Sequence, residues 1–156
     1  MTIPMNDCFT EGVDILPMTK NDIDAVSEIE RRVFSTAMSK NQFNLETERN
    51  FSFPFVLKFR NLVVGYAICW LIETEAQLIQ IAIDRAFRSQ HLGTALLHIV
   101  IQEMKKRGAE GLYLEVRRSN VAAQKLYRKF GFRIVGERPN YYVQEKEDAL
   151  LMHLHF

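Results

Sequence analysis

Cysteine is nearly absent: two in 156 residues, Cys8 and Cys69. That pair makes neither a disulfide framework nor a zinc site and fits a reducing compartment. Charge of one sign is missing too. Twenty basic against nineteen acidic residues leave a formal net charge of +1, so no global field concentrates nucleic acid or anionic lipid. The longest apolar stretch, Leu62–Ile72, is too short to span a bilayer and is broken by Gly65. Residues 1–8 lack a basic region followed by an apolar run, so no signal peptide is expected. No internal repeat, low-complexity tract or linker is found. What remains is ordinary for a globular protein: 47% hydrophobic and 25% charged residues. The length predicts one domain, 1–156, able to bury its own core. A soluble, cytoplasmic protein is expected.

Strands come first, then strands alternating with helices. Residues 13–18 read as a short edge strand in which Pro17 limits pairing. Thr19 with Asp22 resembles a capping box, and Ile23, Val26, Ile29 and Val33 follow at helical spacing. Residues 39–50 are a weaker helix anchored by Phe43. Residues 53–59 and Leu62–Ile72, joined by Arg60-Asn61, read as a hairpin. Residues 77–84 make a third strand-like run. The most helical segment, residues 92–107, carries Leu92, Leu96, Ile99, Val100 and Met104 on one face. Lys105-Lys106-Arg107 offset its negative end and Gly108 stops it. A strand follows at 111–116. Ser119 or Asn120 then caps a helix running to about Phe130, ended by Gly131. Residues 132–138 and 149–156 close the fold. The predicted class is α/β, a mixed sheet of about seven strands flanked by about four helices.

Chemistry concentrates where the third strand-like run meets the long helix. A polar, basic loop there opens a helix at Gly93, whose first turn offers backbone N–H groups at the positive end of the dipole. Gly93 leaves a phosphate room to approach, and Arg88 adds charge. An ordinary helix start with a loose basic loop has the same appearance. Neither the two-glycine P-loop with Lys-Ser/Thr nor the three-glycine dinucleotide fingerprint is present. The pattern R-x-x-H-x-G, followed by a small residue and an apolar helix, instead resembles the coenzyme-A pyrophosphate loop of the GNAT acetyltransferases.

Downstream, Leu112-Tyr113-Leu114-Glu115-Val116-Arg117-Arg118-Ser119-Asn120, Ala122-Ala123, Leu126-Tyr127, Phe130-Gly131-Phe132, Arg138-Pro139-Asn140-Tyr141-Tyr142 and Glu147-Asp148-Ala149-Leu150-Leu151-Met152 are similar to the ribosomal-protein-alanine subgroup, which acetylates a protein N-terminal amine. The match covers residues 81–152 and rests on order and spacing together. The resemblance implies a mostly antiparallel GNAT sheet, acetyl-CoA as donor (coenzyme A as product) and a protein or peptide N-terminus, such as that of a ribosomal protein, as acceptor. Ile81, Ala82 and Ile83 would hold pantetheine through their backbone. Ser89, Gln90, His91, Leu92, Gly93 and Thr94, beside Arg88, would wrap the pyrophosphate, and Asn120 would touch the cofactor. Glu115 would be the general base, Tyr127 the general acid, and Tyr141 and Tyr142 would line the acceptor groove. Two departures stand out. His91 replaces the family's usual glycine, and Ser89, Gln90 and Thr94 stand where basic residues are often seen.

The residues alone leave alternatives open. Glu115 lies inside an apolar strand, where an unpaired carboxylate is costly; it is either a base or half of a salt bridge with a neighbour such as Arg117. Tyr127 could be core packing, and so could the tyrosine pair. A free α-amine has a pKa of roughly 7.7–8.0 against roughly 10.4 for lysine, so a carboxylate suffices to deprotonate it, directly or through a water. A transferase for a lysine side chain or small amine, or a non-catalytic acyl-CoA-binding module, would share most of these residues. Direct transfer is expected, since neither cysteine falls in the motifs. His153 and His155 alternate in the last strand without a third ligand, so no metal is expected. Neither nucleic acid nor membrane is an expected partner, and a monomer or weak dimer is.

Overall fold

In a computed structural model, residues 11–142 and 146–156 are described. Cys8 and most of the segment 143–146 lie outside them. Seven strands, β1 (Val13–Pro17), β2 (Ser52–Phe59), β3 (Leu62–Ile72), β4 (Glu75–Ile83), β5 (Gly111–Arg117), β6 (Arg133–Tyr142) and β7 (Glu147–His155), form one sheet in the order β1-β2-β3-β4-β5-β7-β6. Only β4 and β5 run parallel; every other neighbouring pair is antiparallel. Four helices flank it: α1 (Ile23–Val33), α2 (Lys40–Glu48), α3 (Leu92–Lys106) and α4 (Val121–Lys129). The α/β class and the element order follow the sequence reading.

Local chemistry explains the boundaries. The Thr19 N–H donates to the Asp22 carboxylate at 2.9 Å, ahead of α1. The Ser39 hydroxyl accepts from Gln42 N–H at 3.2 Å while the Gln42 side chain returns the bond to Ser39 N–H at 2.7 Å, a full capping box for α2. Gly108 (φ +89°) and Gly131 (φ +99°) end α3 and α4 in the left-handed region. Asn120, rather than Ser119, caps α4, accepting from Ala123 N–H at 3.2 Å. Strands β6 and β7 both start or end beyond the sequence estimate, because Tyr142 pairs with Glu147 across the hairpin.

Two cores lie on opposite faces of the sheet. The larger joins α3 and Tyr127 of α4 to Leu57, Leu78, Leu112, Leu114 and Met152. The smaller packs Val26 and Ile29 of α1 and Phe43 of α2 against Val56, Tyr66 and Ile68. Ile99, expected on the buried face of α3, is half-buried; Ala95, Leu97 and Ile101 take the interior with Leu96. Cys69 is fully buried, a small core residue whose thiol is pushed up to about 12 by burial. His153 stacks on Tyr113 with ring centroids 4.2 Å apart. Among the described residues no group of three or more His, Cys, Asp or Glu is arranged to hold a metal, and no helix is long and apolar enough to cross a membrane. Leu96, fully buried beneath the sheet, gives a direct check on this core: Leu96→Ala should cost about 2–5 kcal/mol in urea unfolding with an unchanged slope. A cost below about 1 kcal/mol would contradict the packing.

Candidate active site

The site begins where the one parallel pairing stops. β4 and β5 are in register from Glu75↔Gly111 to Leu78↔Leu114 and no further, although β4 runs on to Ile83 and β5 to Arg117. A bulge sits at the same point: Ile68 faces Gln80 while Cys69 faces Leu78, leaving Ile79 unpaired on β4. Bulges bend and twist the strand that carries them. The strands therefore part, and the β5-facing backbone edge of residues 79–83 has no ladder partner.

Two cavities fill the opening. One, of about 480 Å³, is lined by Ile81, Ala82, Ile83, Arg88, Ser89, His91, Leu92, Gly93, Thr94 and Asn120. The other, of about 450 Å³, is lined by Glu115, Tyr127, Tyr141 and Tyr142, with Gln80 and Thr36. They meet at Phe34, Ile81, Asn120 and Tyr127, which face both. Fourteen of the fifteen residues singled out in the sequence thus converge on one cleft. Gln90 is the exception. It lines an adjoining hollow with Val13 and Arg60 that shares Ser89, His91 and Leu92 with the donor cavity.

The first cavity has the chemistry of an anion cradle. Ala95 N–H makes the first helical bond of α3, to His91 carbonyl at 3.1 Å, so the N–H groups of the preceding first turn have no acceptor within the helix. A Cβ on Gly93 would meet only Ile83 and Leu126, at 3.8 and 4.0 Å. The protein itself does not require glycine there, and the space a side chain would take is the cavity. His91 adopts φ +59°, ψ +19° at the helix N-cap. The position does demand a left-handed backbone, which is why glycine suits it and why histidine carries a strain penalty of order 1 kcal/mol. Ser89 shares that conformation, at φ +64°.

The second cavity is held by charge and aromatic contacts. The Glu115 side chain is only 10% exposed and takes a 3.1 Å ion pair from Arg138 Nη1. Its partner is not Arg117, as the salt-bridge alternative supposed. Arg117 pairs with Glu147 at 3.9 Å and lies 4.2 Å over the Tyr142 ring. Register explains the exchange, since Arg117 and Arg138 both pair with Ala149 from opposite sides of β7. The Tyr141 hydroxyl hydrogen-bonds to Glu115, which with burial pushes it up to about 12. Tyr127 is buried, 6% exposed, and burial followed by the nearby Tyr142 pushes its phenol up to about 12.

With this geometry in hand, comparison with known proteins is decisive. Residues 23–132 match the model of the acetyltransferase (GNAT) family. The chain belongs to the GNAT family. A ribosomal protein bS18-alanine N-acetyltransferase of Escherichia coli K12 is 37% identical over 143 residues, 90% of this chain and 95% of the relative. One from Salmonella typhimurium is 36% identical over 140 residues, 88% of this chain and 93% of its own. The crystal structure of the E. coli ribosomal-protein-S18-alanine N-acetyltransferase superposes with a TM-score of 0.86 at 35% identity, covering 92% and 93% of the two chains.

Sequence reasoning missed Phe34, Arg138 and Glu30. Phe34 shows only as an apolar residue just past a helix end. Arg138 needed the β6–β7 register, which the sequence does not print. Glu30, fully buried in α1, carried a legible signal, an acidic residue beside Ile29 on the apolar side of α1. Its carboxylate accepts from Met38 N–H at 3.1 Å, from the Gln80 amide at 3.1 Å and from the Tyr66 hydroxyl. It thereby ties the α1–α2 loop to β3 and to a residue of the cleft. Burial holds this carboxyl above its ordinary value, with Met38 and Gln80 opposing. A raised folded-state value means stabilisation complete below the ordinary carboxylate range and lost as pH rises through the raised value. Compared with wild type, Glu30→Gln should therefore gain relative stability as pH goes from about 4 to about 8, followed by thermal unfolding. A pH-independent difference would contradict it.

Proposed function

We propose that this GNAT chain, as a single domain, is an acetyl-CoA-dependent N-acetyltransferase acting on a protein N-terminal α-amine, specifically the N-terminal alanine of ribosomal protein bS18. The observation that carries the reading is the meeting of two cavities at Tyr127, one suited to a phosphate-bearing donor and the other holding Glu115. The near full-length similarity to enzymes named for bS18-alanine supports the choice of acceptor.

When bound, acetyl-CoA supplies a thioester with an electrophilic carbonyl. The first turn of α3 and Arg88 would hold its diphosphate, and the open edge at Ile81, Ala82 and Ile83 would bond its pantetheine amides as a neighbouring strand does. Ser89, His91, Leu92, Thr94 and Asn120 complete the wall. Asn120 spends its side-chain oxygen on capping α4, which leaves its NH₂ to face the cleft.

Glu115 takes the proton that the amine loses. Arg138 and Tyr141 fix the orientation of that carboxylate and each occupy part of it; two oxygens offer about four lone-pair sites, enough for the amine or an intervening water as well. Tyr127 serves the departing sulfur. A phenol near 12 opposite a thiol of about 8.5 does not give its proton away fully at neutral pH; a hydrogen bond to the sulfur is the contribution the physical chemistry allows. Among the described residues no cysteine lines the cleft, and Cys69 is sealed in the core, which supports direct transfer. The two tyrosines and Phe34 flank the path of the acceptor.

Glu115→Gln should lower kcat by about 100-fold or more while calorimetric affinity for coenzyme A stays within about twofold. A peptide panel read by mass spectrometry tests the acceptor. A free N-terminal alanine of bS18 sequence should be acetylated, and a terminally blocked lysine peptide should not. Acetylation of the blocked peptide alone would overturn the reading.

A further inference from the structure

A third cavity, of about 610 Å³, opens beside the donor cavity and shares Val33, Phe34, Arg88 and Asn120 with it. Five arginines line it, Arg31, Arg32, Arg85, Arg88 and Arg117, and no carboxylate does. They come from three places in the chain: the end of α1, the turn after β4 and the end of β5. Nearby acids neutralise part of this charge. Glu28 pairs with Arg31 and, at 3.8 Å, with Arg32; Asp84 pairs with Arg32 at 2.8 Å and Glu147 with Arg117 at 3.9 Å. Arg85 and Arg88 have no carboxylate partner among the described residues; Arg88 Nε donates only to the Ile83 carbonyl, at 3.3 Å. Three acids against five guanidiniums leave a positive excess gathered on one hollow. Such a gathering is mutually repulsive and favours an anion, most of all one of more than one charge.

We infer that this cavity binds the 3′-phosphate of coenzyme A. The inference rests on the donor assignment above. Coenzyme A carries a diphosphate and, on the adenosine ribose, a separate phosphomonoester. The first turn of α3 accounts for the diphosphate and leaves the monoester, a group of about −1.5 to −2 charge at neutral pH, to be met. Guanidinium forks fit its oxygens. The arrangement also accounts for the weakly basic loop: where Ser89, Gln90 and Thr94 supply no charge, α1 and the turn after β4 supply it from outside the loop. The cavity adjoins the donor side through Arg88, as the short reach from diphosphate to ribose requires.

The test compares coenzyme A with 3′-dephospho-coenzyme A by calorimetry on the intact protein. Wild type should bind coenzyme A about tenfold more tightly than the dephospho form, with the gap closing as salt rises. Arg31→Gln/Arg85→Gln, both surface changes checked for folding by circular dichroism, should erase the gap and leave dephospho-coenzyme A affinity within about twofold. Equal binding of the two ligands by wild type would overturn the inference while sparing the donor assignment. So would a double variant that weakens both ligands alike. A double variant that keeps the gap, yet raises KM for acceptor peptides bearing an acid in the second or third position, would assign the cavity to the acceptor and overturn it as well. Failure of either ligand to bind would sink the donor assignment together with it.

Discussion

Everything at this site depends on two neighbouring strands ceasing to pair. β4 and β5 hold together through Leu78 and Leu114, both in the larger core, and then diverge. Apolar packing on both sides of that vertex keeps the halves of the sheet together, so the divergence costs ladder bonds on one short edge only. Those unpaired groups cannot stay dry and unsatisfied; they face a cavity where water or a ligand reaches them. The bulge at Ile79 fixes where the parting begins, one residue past the last pair. A β4 extended without the bulge would carry its pairing onward and close the opening.

The parted strands are then braced from outside. Glu30 ties the α1–α2 loop to Tyr66 and Gln80 on one side. On the other, Glu147 accepts from Ser119 N–H at 2.6 Å, binding the β5–α4 turn to the final hairpin, and Asp148 accepts from Asn140 N–H at 2.8 Å within that hairpin. Gln124 spans Arg117 and Arg118 carbonyls at 3.1 and 2.8 Å and seats α4 at the end of β5. The Tyr66–Glu30 bond is buried and the others are part-buried or exposed, and each is worth only about 0.5–3 kcal/mol. Their effect is geometric. They hold Glu115, Tyr127 and the tyrosine pair around one cavity whose charged members answer one another across three strands.

Much of this was legible beforehand, for identifiable reasons. Helix caps at Thr19 and Asn120, the glycine stops at Gly108 and Gly131, and the apolar face of α3 are local signals, and each element stands where they place it. The cleft residues were legible chiefly through the resemblance to the GNAT acetyltransferases; in the fold, strand ends, strand-to-helix loops and caps bring them to the same end of the sheet. Gln90 was not, since neighbours along a turn point different ways and spacing cannot say which faces the cleft. The Arg138 partner of Glu115 was invisible for a different reason: it depends on a register two strands away and on the interrupted pairing of β6 with β7 between Arg138 and Tyr142. The arginine hollow draws on residues 31 to 117, a span over which sequence order carries no proximity.

Hydrogen exchange with and without coenzyme A reads the parted strands directly, amide by amide. If the open edge of β4 and the start of α3 receive the donor, exchange should slow at amides among residues 79–83 and 91–94 while the paired stretch of β4 before Leu78 changes little. Protection confined to the far side of the sheet, or none at 79–83, would contradict the account.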